Sequence, residues 1–207
     1  MSRTPSGRTP PHRAPAEDRR SPSLDRSLLD RSWHLARTKQ EMDVAEMEYA
    51  LIRCFEGFGH WQAECLAAVS EFAGSGPENA LLHMIRMNDR PKSVRDLCHL
   101  ANRDDIPNIQ YSLRKLIKAG LVVRNGSGRS GVTYEVTAHG RKTTDDYANV
   151  RADLLIEAVS RVPDLSKRLR AAAQTFDLMT GIYEQSARTA ATHRTYRQKP
   201  IAKTKRS

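Results

Sequence analysis

The sequence predicts a mainly α-helical protein with one small β-ribbon near its centre, and three observations carry that prediction. Apolar residues recur at intervals of three and four over two long stretches, 33–72 and 163–190. Between them, three short helical segments precede two extended runs that flank the polar, glycine-rich stretch NGSGRSG. Charge is also segregated: residues 86–142 hold twelve basic and five acidic side chains, whereas 32–187 as a whole hold 20 of each sign. The net charge of +10 therefore comes from the ends, since residues 1–31 hold seven basic and four acidic groups and residues 188–207 hold seven basic and none acidic.

Five of the ten prolines fall in the first 22 residues, among Arg and Ser. Such a segment has too little apolar surface to offset its ordering entropy, so residues 1–31 are expected to form a disordered, basic, Pro-rich tail. The body begins with a segment of 32–74 that carries one long helix. Val44, Met47, Leu51, Phe55 and Phe58 form its stripe, which Trp61, Cys65, Leu66, Val69 and Phe72 continue. Gly57 and Gly59 inside it mark a bend or a close packing contact. A helix this long cannot bury its whole apolar face in one small domain, so it is expected to pack against a second subunit or against the last helix.

Residues 75–142 carry the most specific pattern. A helix over 77–88 has Pro77 in its first turn and ends before Pro91. Ser93 caps a second helix, whose Leu97, Leu100 and Ala101 are expected to face inward. After the polar turn 102–105 comes a third helix with Ile109, Leu113, Leu116 and Ile117 at helical spacing and Gly120 as its stop. Extended runs at 121–124 and 132–137 follow, with NGSGRSG as the hairpin tip. Helix, helix, helix and ribbon is the order of a winged helix-turn-helix. The fold class is thus mainly α with a small β-wing, a winged helix-turn-helix core between long terminal helices. Residues 143–190 complete it: a stripe of Leu165, Leu169, Ala172, Phe176, Met179 and Tyr183 predicts a helix opening at Pro163, and with the first helix it is expected to build a dimer interface. Residues 191–207 are expected to be a second disordered basic tail.

The third helix has a polar face of Asn108, Gln110, Tyr111, Arg114, Lys115 and Lys118, and a helix of that kind fits the major groove of DNA. Asn and Gln pair with adenine edges and Arg with guanine, so Asn108, Gln110, Tyr111 and Arg114 are candidates for base readout, and Lys115 and Lys118 for phosphate contacts. Arg129 at the hairpin tip suits a narrow minor groove, with Arg124 holding the backbone beside it. Ser93 and Arg103 complete the candidate contact set. The expected partner is double-stranded DNA.

Residues 119–122 (AGLV), the basic wing and Val136-Thr137-Ala138-His139-Gly140-Arg141 resemble the MarR family of bacterial dimeric transcription regulators, the last stretch being similar to that family's LTxxGR. The resemblance covers 34–190 in arrangement and 80–142 in motif. Asn125 and Ser127 stand where the family's wing carries an acid and its first arginine, and Tyr111 where it often has arginine. The resemblance implies a homodimer reading a pseudo-palindrome, with a ligand or an oxidant altering the spacing of its two lobes.

Other chemistries find less support. NGSGRSG lacks the GK[ST] ending of a phosphate loop and lies between strands, no nucleophile and base have a recognisable spacing, and an enzyme is not expected. Asp104-Asp105 and Asp145-Asp146 read as helix caps or first-turn dipole partners. His60, His83, Cys98 and His99 have no metal-ligand spacing, so neither metal nor cofactor is expected. An apolar crevice lined by Tyr49, Cys54, Phe58, Trp61, Cys65, His83 and Met84 would accept a small aromatic effector. Two alternatives remain open: a redox response at Cys54 or Cys65, which needs a lowered thiol pKa, and a winged-helix protein-interaction module that does not bind DNA. Three cysteines without a CxxC pair read as reduced thiols, and neither a membrane span nor a secretory signal is visible, so the expected location is the cytoplasm.

Overall fold

The computed structural model describes residues 34–127 and 131–197, with side chains as far as His193. The two expected tails therefore fall largely outside the described residues. Two compact units divide between Glu56 and Gly57, a boundary that lies within the first helix.

That helix, α1, spans Lys39–Ala67. Thr38 and Glu41 start it with a reciprocal cap: the Glu41 N–H donates to Thr38 Oγ1 at 3.2 Å, and Glu41 Oε2 accepts from the backbone of Arg37 and Thr38 at 2.7 and 2.9 Å. In the first unit, Val44, Leu51, Ile52 and Phe55 are exposed. In the second, Cys65 and Leu66 are buried. The helix stops five residues before the expected Phe72 because Ser70 competes for the backbone, its Oγ accepting from the Phe72 N–H at 3.1 Å. Gly57 and Gly59 do not interrupt it; Gly59 is a close packing contact, since a Cβ on Gly76 would lie 3.2 Å from Gly59 Cα.

The core of the second unit is the winged helix. It comprises α2 (Gly76–Arg86), α3 (Val94–Leu100), α4 (Ile106–Lys118), β1 (Val122–Asn125) and β2 (Thr133–Val136). Leu81, Leu82 and Ile85 of α2, Leu97 of α3, Ile109, Leu113 and Leu116 of α4, and Leu121, Val122, Tyr134 and Val136 of the wing form one cluster. Leu100 does not join it: Val94, Leu97 and Cys98 form the arc of α3 that meets the core, and Leu100 is exposed on its flank. Gly120 ends α4 with φ +71°, and the bonds Leu121 N–H to Leu116 O and Gly120 N–H to Ile117 O close a Schellman turn.

β1 and β2 pair antiparallel, Val122 opposite Val136 and Arg124 opposite Tyr134. The expected two-stranded ribbon gains a third member, since Lys92 exchanges both backbone hydrogen bonds with Tyr134, at 3.1 and 2.8 Å. The Lys92 side chain is buried. Its Nζ donates to the carbonyls of Ile85 at 3.1 Å and Arg90 at 3.0 Å, and also to that of Met87, closing the C-terminal end of α2.

Helix α5 (Ala138–Val150) shows what the Val136–Arg141 motif does. Thr137 caps it, accepting from the Gly140 N–H at 3.0 Å while donating to Gly120 O at 2.6 Å. Arg141 pairs with Asp89 at 2.5 Å. A π turn, Arg151–Ile156, joins α5 to the short α6 (Glu157–Ser160). Asp145 and Asp146 are not caps: they sit in the middle of α5, Asp146 accepting from Lys142 at 2.5 Å and Asp145 lying 3.7 Å from Arg86.

The last helix, α7, spans Leu165–Arg197. Its apolar residues Leu169, Phe176, Leu178 and Ile182 are exposed in the single chain. It runs past the expected boundary at Ala190, and 185–197 contain neither Gly nor Pro to stop it.

Candidate nucleic-acid interface

Helix α4 separates two chemistries by its rotation. Ile109, Leu113 and Leu116 enter the core, and Ser112 is buried beside them. The opposite face exposes Asn108, Gln110, Tyr111, Arg114 and Lys118, all candidates read from the sequence. Tyr111 is 56% exposed, and its ring carries the Lys115 ammonium at 5.7 Å and the Arg114 guanidinium at 6.0 Å from its centroid. Two cations beside one exposed aromatic ring make a surface suited to an anionic backbone.

Not every candidate is free. Lys115 is half-buried, its Nζ 3.0 Å from Glu78 Oε1 and 5.9 Å from the centre of the Phe72 ring. Asn108 donates to Asp105 at 2.9 Å, and Arg103 grips the same carboxylate through Nε at 2.7 Å and through its terminal nitrogen. Arg103 and then Asn108 hold the Asp105 carboxyl well below its ordinary range, so a fixed negative charge stands at the N-terminal end of α4. Ser93 is engaged as the cap of α3, with Oγ accepting from the Asp96 N–H at 3.2 Å and donating to Asp96 Oδ2 at 2.8 Å. Arg124 is exposed on β1. Arg129 lies outside the described residues.

Sequence reasoning missed Glu78. Its carboxylate accepts from the Ser75 N–H at 2.8 Å and from the Ser75 hydroxyl, takes Ser112 Oγ at 3.3 Å, and pairs with Lys115, tying α2 to α4. The signal was present as Ser75-x-x-Glu78, the spacing of a capping box. Burial works to raise the Glu78 pKa, but the bonds from Ser75 and Lys115 outweigh it and the net shift is downward. A carboxylate stabilised in the folded state contributes above its unfolded pKa and loses that contribution as pH falls through the folded value. Glu78→Gln is expected to cost about 1–2 kcal/mol near neutral pH. In denaturant titrations the gap to the parent protein should stay constant above the ordinary glutamate pKa of 4.5 and close on acidification below it; a gap independent of pH would show that the charge of Glu78 contributes nothing.

The proposed effector residues fall in both units. Tyr49 and Cys54 are exposed on α1 in the first unit. In the second unit Phe58 is exposed, Trp61 half-buried, Cys65 buried, and Met84 packs against the winged core. Cys65 and His83 come together around Tyr147: the thiol lies 3.9 Å from its carbonyl oxygen and the imidazole 4.5 Å from its ring. Burial pushes the Cys65 thiol up, which keeps it protonated and a poor nucleophile. Burial also pushes His83 down, assisted by Arg151, so the imidazole is neutral near pH 7. An open cavity of about 720 Å³ does border α4, lined by Val69, Phe72, Lys115, Lys118 and His139 among others, none of which belongs to the effector set. Among the described residues no group of three His, Cys, Asp or Glu side chains is placed to hold a metal ion, and no helix is long and apolar enough to cross a membrane.

A three-helix core, a wing pinned by Lys92 and a solvent-facing cationic helix define a winged helix DNA-binding domain, and residues 75–140 match the family model of that description. About two thirds of the chain shares its fold with solved MarR-family transcription regulators. Staphylococcus aureus MarR in complex with salicylate and kanamycin superposes with a TM-score of 0.54 at 16% identity, over 72% of this chain and 96% of that one. A mutant MarR from E. coli complexed with operator DNA gives 0.52 at 16% identity, over 65% and 95%. The M. tuberculosis transcriptional regulator MOSR in complex with DNA gives 0.51 at 16% identity, over 65% and 96%. No curated protein matches the chain in sequence.

Proposed function

We propose that the protein is a bacterial transcription regulator that binds a pseudo-palindromic operator as a homodimer and is modulated by a small aromatic ligand. The observation that carries the reading is the exposed face of α4, where Asn108, Gln110, Tyr111 and Arg114 stand free of the core that holds the helix by its other side. Phe55 on α1 and Leu178 on α7, each 66% exposed in a single chain, support burial against a second copy. Solved relatives in this fold include complexes with DNA and one with salicylate, and the open cavity beside α4 offers such a ligand an aromatic wall and two lysines.

Two-fold symmetry places half-sites about one helical turn, or 10 bp, apart. If each protomer neutralises about four phosphates, the dimer's affinity should fall by about four orders of magnitude between 50 and 200 mM salt. The decisive experiment sequences duplexes selected by the purified protein and measures binding of Arg114→Ala to the best of them. Arg114 is exposed, so the variant should melt with the parent yet bind its operator roughly 10- to 100-fold more weakly and lose preference at one position of each half-site. Selection without a symmetric motif, or an Arg114→Ala variant that binds like the parent, would overturn the proposal.

A further inference from the structure

Asp105 occupies the N-cap position of α4, where an aspartate ordinarily accepts from the N–H groups of the first turn, yet its carboxylate makes no cap bond. It is spent on two side chains instead. Oδ1 accepts from Arg103 Nε at 2.7 Å, while Oδ2 accepts from Arg103 Nη2 and, at 2.9 Å, from Asn108 Nδ2. The Arg103 side chain is 36% exposed and that of Asp105 38%, so the group is open to a partner arriving from solvent. Around it the first turns of α4 are bare: Ile106, Pro107, Asn108, Gln110 and Tyr111 are all exposed.

The grip on Arg103 is one-sided. A guanidinium carries five N–H donors in a rigid fork, and Asp105 takes the two along the Nε edge. The outer edge, formed by Nη1 and the second hydrogen on Nη2, has no partner among the described residues and leaves two parallel donors free. The backbone beneath is held at two points. The Arg103 N–H donates to Cys98 O at 2.9 Å, and Asn102 beside it, at φ +48°, donates from Nδ2 to Glu184 Oε1 of α7 at 3.3 Å.

We propose that Arg103, aligned by Asp105, reads a guanine through its outer edge, and that Asp105 is the positioning residue that makes this contact selective. The inference rests on the DNA-binding reading above. Two parallel N–H donors match O6 and N7 of guanine in the major groove, and they match two oxygens of a phosphate equally well. Asp105 decides between them. A lone arginine is drawn to every phosphate, whereas an Arg–Asp pair has no net charge to exchange for counterions, and its carboxylate repels a phosphate that comes close. The uncharged guanine edge meets no such repulsion. Recognition helices of this motif present their N-terminal residues to base edges, and that is the end of α4 where Arg103 and Asn108 share one carboxylate.

The test uses the full chain and the duplexes it selects, with each G·C pair of one half-site replaced in turn by A·T. At the position Arg103 reads, replacement should weaken parental binding about 5- to 150-fold. Arg103→Lys keeps the charge but loses the fork, so the penalty at that position should vanish while the salt slope stays as in the parent; in Arg114→Ala the same penalty should persist. Asp105→Asn frees Arg103 and removes the repulsion. Binding to a random-sequence duplex should then tighten, the slope of log affinity against log salt should steepen by about 1 per protomer, and the preference at that position should shrink. Because Asp105 makes no cap bond and asparagine caps as well as aspartate, this variant should melt with the parent. Penalties that all survive in Arg103→Lys overturn the guanine contact, as does a lysine variant weakened equally on every sequence, which would make Arg103 a phosphate contact. Parental slope and preference in Asp105→Asn overturn the role of Asp105. A wild-type chain that binds no duplex overturns this proposal and the DNA reading together, whereas binding that is sensitive to Arg114→Ala and indifferent to changes at Arg103 and Asp105 overturns this proposal alone.

Discussion

Gly140→Ala should lower the stability of the winged domain by about 3 kcal/mol, although alanine is the better helix former by about 1 kcal/mol. Gly140 sits in the first turn of α5, where that helix lies across the end of β1. A Cβ there would stand 3.0 Å from the Leu121 carbonyl carbon and closer still to its oxygen. The obstacle is backbone and cannot rotate aside. Nor can the helix back away cheaply, because the Thr137 N–H donates to the same Leu121 oxygen at 3.0 Å and the Thr137 hydroxyl to Gly120. The clash therefore outweighs the gain in propensity. Thermal unfolding should show a fall in midpoint of about 2–4 °C for each kcal/mol lost. A variant as stable as the parent would mean that α5 can shift off β1 without cost.

Lys92→Ala should cost a similar amount, roughly 3–4 kcal/mol, for different reasons. A buried cation is expensive, and burial, with the Arg90 charge adding to it, pushes the Lys92 pKa down. Three carbonyls offset that expense, those of Ile85, Met87 and Arg90, all at or just past the end of α2 where acceptors lack helical partners. Truncation leaves these acceptors short of a donor and opens a cavity in the layer between α2 and the wing. Lys92→Met separates the two effects. It restores most of the volume and sheds the desolvation cost but leaves the acceptors unpaired, so about 2 kcal/mol of loss should persist. If the methionine variant matches the parent, packing is the whole role of the side chain and the charge is incidental.

The legibility of the fold follows from the range of the interactions involved. The termination of α4 at Gly120, the cap at Ser93, the Thr137 start of α5 and the two faces of α4 depend on residues within a turn or two of one another, and each was readable in advance. Glu78 was readable by the same reasoning, from its distance to Ser75, though only its capping part; that Lys115 and Ser112 converge on the same carboxylate comes from α4 crossing α2. Leu100 misled because periodicity treats every apolar position of a helix as equal, whereas the arc of α3 that meets the core is taken by Val94, Leu97 and Cys98. Asp145 and Asp146 misled because adjacent acids resemble a cap wherever the true helix start is unknown. For the candidate interface, exposure of the recognition face was foreseeable, but the engagement of Asn108 and Arg103 with Asp105 was not.

The sequence by itself determined the order of elements, their ends, the amphipathic division of α4 and the basic character of the winged segment, because those properties arise from dihedral preferences and spacings that are local. Tertiary structure alone decided that Lys92 is buried as a bridging strand residue, that Gly140 must have no side chain, that Lys115 is shared between Glu78 and an aromatic face, and that α7 returns to meet Asn102. Each of these depends on two segments remote in sequence arriving within a few ångströms, and a spacing read along one segment carries no information about the distance to another.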